Sequence, residues 1–483
     1  MSIPDEKINE IVDKVVDRIR ASIKKEAPGL PSTTGASQKI STTSIEEGLG
    51  CFADIESAIK AAKKAYWDFK DIPLWQRHKI INAIRKICSE HLKEISELGV
   101  AETGMGRVED KIRKNRVAIE KTPGIEDLEP VAFTGDNGLT ILERAPYGVI
   151  GSITPSTNPS ETALCNAIGM IAGGNSVTFC PHPAAKKTTI YTINLMNKAI
   201  ISEGGPPNLL TTIANPTIET AQQLMKHPDI SLLVVTGGPA VVATAMKSGK
   251  RVIAAGPGNP PVVVDETADP DKAARDIVTS SSTDNNIICA IEKEIIVTAG
   301  AADALKKALI KHGALELKSY EVSKLEKILI AEDGKGPNKK WVGKDVQVIL
   351  KEVGIDCPPE KRLAIAETSP DHPFARLEML MPVVPFIRVG NFEQALELAY
   401  KLEDGCFHTA VIHSNMIDRL HRMAIKMNTA IFVKNGPALA GLGMEGEGPA
   451  SFTIAAPTGE GVTTARHFTR IRRCVVSGYF RIV

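Results

Sequence analysis

The sequence has 483 residues with 58 lysines and arginines, 57 aspartates and glutamates and 43% hydrophobic residues, a composition typical of a globular protein of several domains. The formal net charge of +1 provides neither the basic field that nucleic acid requires nor an excess of cations for an anionic membrane, so neither partner is expected. Residues 1–7 do not begin a secretory signal and no apolar run is long enough to span a bilayer, which predicts a cytoplasmic protein.

The first predicted element is an amphipathic helix in residues 1–25. Isoleucine and valine recur there at intervals of three and four, which places them on one helical face. Residues 26–48 are rich in Ser, Thr, Gly and Pro and predict a flexible linker. The helix has balanced charges and no Trp, Phe or Leu to insert into lipid, so docking on another protein is favoured; folding back onto the chain's own body is the alternative.

Residues 55–106 have helical spacing with a break at Ile72 and Pro73, and the pattern changes from residue 148 onward. Short apolar runs then alternate with helix-length segments that begin near residues 160, 184, 217 and 239. Five strands joined by four crossovers predict a doubly wound parallel sheet, in which ligands bind at the carboxyl ends of the strands. The predicted strands are 148–153, 176–179, 209–213, 231–235 and 251–254.

A second α/β unit is predicted from residue 262 to about residue 447. Beyond it, residues 473–483 are strand-like. Together with residues 139–144 they predict a β-arm that pairs with another subunit.

Two glycine-rich turns are candidates for a phosphate site. The only G-x-G-x-x-G is Gly441-Leu-Gly-Met-Glu-Gly446, but two prolines and no helical period follow it, so we predict a loop near substrate or cofactor and not a dinucleotide fingerprint. Thr236-Gly237-Gly238 instead ends a buried strand, and a helix with free backbone N–H groups is predicted directly after it. Such a helix start can hold an anion, and an ordinary tight turn is the alternative.

Cys289 follows a polar run at residues 280–286 in the second α/β unit. The eight cysteines include no C-x-x-C pair, which argues against a zinc site or a disulfide framework, and no metal is expected. By residue type alone Cys289 is either a nucleophile or a small core residue, and the second role is the more common one.

A series of motifs favours the nucleophile. They are Pro-Tyr-Gly-Val-Ile-Gly (146–151), Ile-Thr-Pro (153–155), Ser-Thr-Asn-Pro-Ser (156–160), Gly-Gly-Asn-Ser-Val (173–177), His-Pro-Ala-Ala-Lys-Lys (182–187), Thr-Gly-Gly (236–238), Ala-Gly-Pro-Gly-Asn (255–259), Thr-Asp-Asn-Asn-Ile-Ile-Cys (283–289), Glu-Met-Leu-Met-Pro-Val (378–383) and Ala-Pro-Thr-Gly-Glu-Gly-Val-Thr-Thr-Ala-Arg (456–466). In this order they resemble the aldehyde dehydrogenase superfamily. More narrowly, the chain from about residue 50 resembles the CoA-acylating propionaldehyde and acetaldehyde dehydrogenases of bacterial microcompartments.

The resemblance implies an aldehyde dehydrogenase-like α/β fold with three parts. These are a doubly wound NAD-binding domain of residues 49–125 and 146–253, a catalytic cysteine domain of residues 254–450, and an oligomerisation arm of residues 126–145 and 455–483. A homo-oligomer, dimer or tetramer, is therefore expected. Residues 5–25 resemble the helices by which such enzymes dock on shell or cargo proteins, which implies a location inside a microcompartment.

The reaction is implied in the same way. The Cys289 thiolate, once its pKa is lowered, attacks an aldehyde to give a thiohemiacetal, hydride passes to NAD, and coenzyme A takes the acyl group from the thioester in a ping-pong order. Hydrolytic relatives carry a water-activating glutamate where this sequence has Ala254, so coenzyme A is expected to be the acceptor. The alternatives are a hydrolytic aldehyde dehydrogenase, an acyl-phosphate reductase and a cargo scaffold without catalysis.

The resemblance also assigns the oxyanion donors to the Cys289 backbone N–H and to a side chain at Thr157 or Asn158, between which the motif does not decide. For His408 two roles stay open, proton transfer with coenzyme A and, more commonly, a structural role.

The implied cofactor residues include two departures from the family pattern. Cys180 stands where relatives have a lysine at the adenosine ribose, so the motif leaves both NAD and NADP open. Glu378 matches the glutamate that holds the nicotinamide ribose, and Leu380 replaces a phenylalanine. The full set is Thr154, Pro155, Cys180, Pro181, His182, Thr236, Gly237, Gly238, Glu378 and Leu380.

Overall fold

Helices and strands alternate through most of the computed structural model, which describes residues 49–481. The helix predicted in residues 1–25 and the linker predicted in residues 26–48 lie outside the described residues. The helices are α1 (Ile55–Phe69), α2 (Leu74–Glu90), α3 (Leu92–Thr103), α4 (Val108–Lys121), α5 (Pro159–Ala172), α6 (Lys186–Ser202), α7 (Ile218–Lys226), α8 (Pro239–Met246), α9 (Pro270–Ser282), α10 (Ala299–Lys311), α11 (Ser319–Leu329), α12 (Val346–Glu352), α13 (Pro373–Arg376), α14 (Phe392–Glu403) and α15 (Ile417–Met427). Within residues 49–481, none of them is both long and apolar enough to cross a membrane.

The strands are β1 (Cys51–Phe52), β2 (Val131–Gly135), β3 (Gly138–Pro146), β4 (Val149–Thr154), β5 (Ser176–Pro181), β6 (Leu210–Ile213), β7 (Ile230–Thr236), β8 (Val252–Ala255), β9 (Pro261–Val264), β10 (Glu294–Thr298), β11 (Ala314–Leu317), β12 (Leu363–Glu367), β13 (Val383–Val389), β14 (Thr409–His413), β15 (Ile431–Lys434), β16 (Ile454–Ala455), β17 (Gly461–Val462) and β18 (Thr469–Ser477). Six of them form a parallel sheet in the order β1-β6-β5-β4-β7-β8. This confirms the predicted doubly wound sheet, whose five predicted strands are β4 to β8. The pattern does not predict β1, because two residues are too few to show a period.

The helices around this sheet also agree with the sequence pattern. α1 ends at Phe69 and α2 begins at Leu74, which confirms the predicted break. Asp54 begins α1 by accepting a hydrogen bond from the Ser57 N–H at 2.8 Å. The helices that follow β4, β5, β6 and β7 begin at residues 159, 186, 218 and 239. α4 is not predicted, because charged residues interrupt its apolar face.

Seven strands form a second parallel sheet in the order β11-β12-β13-β10-β9-β14-β15. They lie between residues 261 and 434, which confirms the predicted second α/β unit. The segment between α9 and β10, residues 283–293, carries Cys289 and is called the cysteine loop below. The fold class is therefore confirmed, whereas the domain boundaries remain predictions.

The small antiparallel sheet has the order β18-β3-β2, and β18 pairs with β3 of the same chain over its whole length. The start predicted for the second arm segment, residue 455, remains a prediction. Residues 454–468 contain β16, β17 and a short 3-10 turn, and their apolar side chains pack into the body, as the 1% exposure of Phe468 shows. Only β18 joins the arm sheet, because burial keeps the preceding segment in the body.

The glycine-rich loop at Gly441 follows a 3-10 turn, and among the described residues no helix begins between Gly443 and Thr464. This confirms that the loop is not a dinucleotide fingerprint. Lys121 of α4 donates hydrogen bonds to the carbonyl oxygens of Gly443 at 2.7 Å and Gly446 at 2.8 Å, which fixes the loop on that helix.

Candidate active site

The carboxyl ends of three neighbouring strands bring most of the predicted cofactor residues together. Ile153 of β4 pairs with Cys180 of β5 on one side and with Val235 of β7 on the other. Thr154, Pro181 and Thr236 are the next residues along these strands and therefore share one edge. Such an edge is where parallel sheets bind ligands.

Two features of this edge fit a dinucleotide. The Thr154 hydroxyl is buried and has no hydrogen-bond partner in the described chain, so it is available to a ligand. α8 begins at Pro239 without a side-chain cap on its first N–H groups, and Gly238 at its N-cap has open space where a side chain would lie. A phosphate group fits such a helix start.

The remaining cofactor residues are placed less uniformly. Cys180 is buried, and burial raises the pKa of its thiol to about 11. His182 is exposed at the end of β5, where its Nδ1 accepts the Ala184 N–H at 3.1 Å, and Pro155 is partly buried. Leu380 has a left-handed backbone with a φ of 52°, and its carbonyl oxygen accepts the Gly343 N–H at 2.9 Å.

The cysteine loop has an uncommon backbone. Asp284, Asn285 and Asn286 all have positive φ values, between 49° and 64°, which bulky residues avoid. The buried ammonium group of Lys293 donates to the carbonyl oxygen of Asn286 at 2.6 Å, to its side-chain oxygen at 2.7 Å and to the carbonyl oxygen of Ile288 at 3.0 Å. All three ammonium hydrogens are thus used to hold the backbone just before the nucleophile.

Cys289 itself is partly accessible at the end of this loop. Burial and the nearby Glu378 carboxylate raise the pKa of its thiol to about 12, against the opposing charges of Lys293 and Lys114. The expected lowering of this pKa is therefore not found in the protein without ligands. The resting nucleophile is a thiol.

Glu378 and His408 both lie next to Gly258, which also faces the Cys289 backbone. The Gly258 N–H donates to Glu378 Oε1 at 3.3 Å. A Cβ atom at Gly258 would lie 2.8 Å from the Cys289 carbonyl oxygen and 2.8 Å from the His408 ring, so only glycine fits between them. Burial raises the pKa of Glu378 to about 7, against the charge of Lys293.

His408 is buried and neutral. Its Nδ1 lies 2.9 Å from Thr409 Oγ1, and its Nε2 has no hydrogen-bond partner in the described chain. Burial, together with the charge of Lys293, lowers the pKa of His408 to about 4. The structure therefore leaves a buried ring nitrogen of this histidine available to a ligand, which a purely structural role does not require.

Ala254 lies on β8 with no exposed surface, and its N–H donates to Thr458 Oγ1 at 3.0 Å. The position where hydrolytic relatives carry a water-activating carboxylate thus holds only a methyl group.

Thr157 and Asn158 lie at the start of α5 and contact two buried lysines of α4. Lys111 Nζ donates to the Thr157 carbonyl oxygen at 3.3 Å, and Lys114 Nζ donates to Asn158 Oδ1 at 2.6 Å. The Asn158 amide nitrogen donates to Thr157 Oγ1 at 3.2 Å. Both lysines also bind Asp284 Oδ2, at 3.1 Å from Lys111 and 2.5 Å from Lys114. α4 therefore joins the start of α5 to the cysteine loop.

The sequence motifs do not reveal these lysines, because lysine is among the residues least often buried. The one available signal is the spacing of Lys111, Lys114 and Ala118, which places them on one face of a helix.

The chain is similar over most of its length to known aldehyde dehydrogenases. Residues 45–319 match the model of the aldehyde dehydrogenase family. The chain is 52% identical over 440 residues to the acetaldehyde dehydrogenase (acetylating) EutE of Salmonella typhimurium, an alignment that covers 90% of this chain and 94% of that protein.

Two solved structures are similar in fold as well as in sequence. The propionaldehyde dehydrogenase of Rhodopseudomonas palustris, with bound CoA and an acylated cysteine, has a TM-score of 0.87 and 45% identity, covering 89% of this chain and 98% of that one. The propionaldehyde dehydrogenase from the fucose utilisation bacterial microcompartment of Clostridium phytofermentans has a TM-score of 0.89 and 46% identity, covering 90% of this chain and 100% of that one.

Proposed function

We propose that this chain, which belongs to the aldehyde dehydrogenase family, converts acetaldehyde or propionaldehyde with coenzyme A to the acyl-CoA. In this reaction it transfers hydride to a nicotinamide cofactor. The observation that carries the proposal is the nucleophile Cys289 in a site whose water-activating position is Ala254. The similarity to an acetylating relative and to a structure with bound CoA and an acylated cysteine supports it.

In the first half-reaction the Cys289 sulfur attacks the aldehyde carbon, the thiol proton passes to solvent water at the partly accessible site, and the carbonyl oxygen becomes an anion. The Cys289 backbone N–H and the Asn158 amide nitrogen are the proposed donors to that oxygen. Asn158 is the better choice over Thr157, because one amide hydrogen is used on Thr157 Oγ1 and the other is left for a ligand. A bound nicotinamide dinucleotide supplies the hydride acceptor, and the acyl group stays on Cys289 as a thioester.

In the second half-reaction His408 is the proposed base for the coenzyme A thiol. The proposed role requires the tautomer whose Nδ1 hydrogen is donated to Thr409 Oγ1, in which the unpartnered Nε2 carries a lone pair. A thiol with a pKa of about 8.5 does not give its proton to a free imidazole with a pKa near 4. The proton therefore moves to His408 as the coenzyme A sulfur attacks the thioester carbon. The bond from the acyl group to Cys289 then breaks, and His408 returns the proton to the departing Cys289 sulfur, which restores the thiol.

NAD is the proposed acceptor. Cys180 places a buried, uncharged side chain where relatives have a lysine at the adenosine ribose, so it offers no cation to a 2′-phosphate. A higher kcat/KM with NADP than with NAD would contradict this choice.

The test of the reaction is NADH formation from two- to four-carbon aldehydes, with and without coenzyme A. We expect sustained turnover only with coenzyme A, a single turnover without it, and no turnover in Cys289→Ala. His408→Gln should keep the single turnover and lose about 10²-fold in the coenzyme A-dependent rate. Sustained NADH formation without coenzyme A, yielding carboxylate, would favour a hydrolytic enzyme. A reaction rate that depends on phosphate would favour an acyl-phosphate reductase. An inactive protein would favour a cargo scaffold.

Residues 5–25 are proposed to dock on a shell or cargo protein of a microcompartment. The support is their apolar stripe and the similarity of the chain to an enzyme of the fucose utilisation microcompartment. Val12→Asp/Val15→Asp on the stripe should abolish co-purification with shells without changing soluble activity. Glu10→Ala/Asp17→Ala on the opposite face is the matched control and should retain co-purification.

A further inference from the structure

Four charged side chains form a fully buried cluster between α4, α5 and the cysteine loop. They are Lys111, Lys114, Glu161 and Asp284, which we call the ammonium–carboxylate cluster, and each is at most 1% exposed. Lys114 Nζ lies 2.5 Å from Asp284 Oδ2 and 3.0 Å from Glu161 Oε1. Two positive and two negative charges balance, as buried charges require.

Lys114 has a further partner, which is not charged. Its third contact is the side-chain oxygen of Asn158 at 2.6 Å. Asparagine at the N-cap of a helix normally accepts a hydrogen bond from the helix's own backbone, and such a cap contributes about 1 kcal/mol. Asn158 stands at the N-cap of α5 but makes no such bond. Its oxygen is directed to Lys114 instead, so the local stability of α5 is not what fixes this side chain.

The contact with Lys114 fixes the orientation of the Asn158 side-chain amide, because its oxygen accepts hydrogen bonds and its nitrogen donates them. Lysine has only donor hydrogens, so the end of Asn158 that faces Lys114 is the acceptor oxygen. The NH₂ end then points the other way, with one hydrogen on Thr157 Oγ1 at 3.2 Å. A neutral hydrogen-bond donor would hold the oxygen more weakly, since bonds to charged groups are roughly twice as strong.

We propose that Lys114 is a positioning residue, whose ammonium group holds the Asn158 oxygen and so presents the amide N–H to the aldehyde oxygen. The inference rests on the proposed role of Asn158 as an oxyanion donor. The same ammonium group binds Asp284, which lies in the cysteine loop. Lys114 thereby sets the oxyanion donor and the nucleophile relative to each other, and it acts without touching the substrate.

A substitution of Lys114 alone leaves an unbalanced buried carboxylate and threatens the fold. The test variant is therefore Lys114→Met/Glu161→Gln, which removes one positive and one negative charge and keeps the Lys111–Asp284 ion pair. Glu161→Gln alone, which leaves one excess buried ammonium charge and keeps the contacts of Lys114 with Asp284 and Asn158, is the background against which all rates are compared. Thermal unfolding and NADH binding are measured for both, so that a loss of the folded state is seen directly.

The measured quantity is the rate of the single turnover of NADH formation without coenzyme A, which isolates the first half-reaction. In the Glu161→Gln background, Asn158→Ala should slow it about 10²-fold. Lys114→Met should slow it about 10- to 10²-fold with little change in the aldehyde concentration needed for half-saturation. With Asn158 already absent, Lys114→Met should change the rate by less than about threefold, because the two residues act through one amide.

The outcomes distinguish the positioning role of Lys114 from the donor role of Asn158. If the losses from Asn158→Ala and Lys114→Met multiply, Lys114 acts elsewhere and the positioning role is wrong, while the role of Asn158 stands. If Asn158→Ala leaves the rate within about threefold, Asn158 is not the donor and the positioning role falls with it. An unsubstituted enzyme with no coenzyme A-dependent turnover would overturn the proposed function itself.

Discussion

Two effects raise the pKa of the Cys289 thiol. Burial and the Glu378 carboxylate both favour the protonated thiol, and the ammonium groups of Lys293 and Lys114 oppose them. Motifs predict Cys289 and Glu378 as site residues. They do not predict the balance of charge, since Lys114 lies far before Cys289 in the sequence and comes near it only in the folded chain.

Replacing Glu378 tests that balance. Glu378→Gln removes the negative charge, so the pKa of the Cys289 thiol should fall and iodoacetamide should alkylate it about tenfold faster at pH 8.5. Because the pKa of Glu378 is raised to about 7, the difference from the unsubstituted enzyme should shrink below pH 7, where that carboxyl is already neutral. Glu292→Gln, at another buried carboxyl, is the matched control and should leave the alkylation rate unchanged.

His413 gives a residue-scale prediction away from the site. Its Nε2 is buried without a partner in the described chain, and burial lowers its pKa to about 4, although Asp276 opposes this. The unfolded chain, with a pKa near 6.5, binds the proton more readily, so stability is lost as the pH falls from about 6.5 to 4. His413→Gln should remove about 2–3 kcal/mol of that loss, measured by urea unfolding at pH 7.5 and 4.5. The exposed His421→Gln should show no such difference.

Helices and strands are predicted correctly where the spacing of apolar residues agrees with the residues that start or end an element. β4 to β8 are predicted because apolar runs alternate with helix starts, and Pro239 marks the beginning of α8. The cysteine loop is not predicted in shape. Its left-handed residues are held by Lys293 from within the loop and by the contact of Asp284 with Lys114 of α4, which forms only in the folded chain. The polar composition of residues 280–286 signals a loop but not its direction.

A substitution at Gly106 tests how much the contact with Asp284 stabilises the cysteine loop. It has a φ of 76°, and a Cβ atom there would lie 1.9 Å from the Asp284 carboxylate. Gly106→Ala should therefore displace Asp284 and lower the free energy of unfolding by about 3 kcal/mol, with most of the NADH-forming activity lost. Gly334→Ala, at a φ of 67° with open space around it, should cost only about 1 kcal/mol and leave activity intact. Equal effects on stability from the two variants would mean that the Asp284 contact is unimportant.

At the scale of the whole molecule the arm sheet carries an exposed apolar face. Pairing places Thr140 between Val475 and Phe133, and Ile471, four residues before Val475 on β18, lies on the same face. Phe133, Ile471 and Val475 are each exposed by more than half. Exposed apolar patches of this kind mark association surfaces, which supports the proposed homo-oligomer.

Introducing charged residues on the apolar face of the arm sheet tests whether that face is the interface of the homo-oligomer. Ile471→Asp/Val475→Asp should shift the molar mass by light scattering toward that of a single chain, because two buried carboxylates at an interface are unfavourable. Arg470→Asp/Arg472→Asp, on the opposite face of the same strand, is the matched control and should leave the mass unchanged. An unchanged mass in the first variant would exclude this face as the interface.

The arm is built from an internal hairpin and a strand from the far end of the sequence, and this has a practical consequence. Ending the chain before Thr469 would leave β2 and β3 in place but strip β3 of its partner over nine residue pairs. An open strand edge recruits other chains into non-specific pairing. Versions of the protein shortened before Thr469 are therefore expected to aggregate before they lose catalysis.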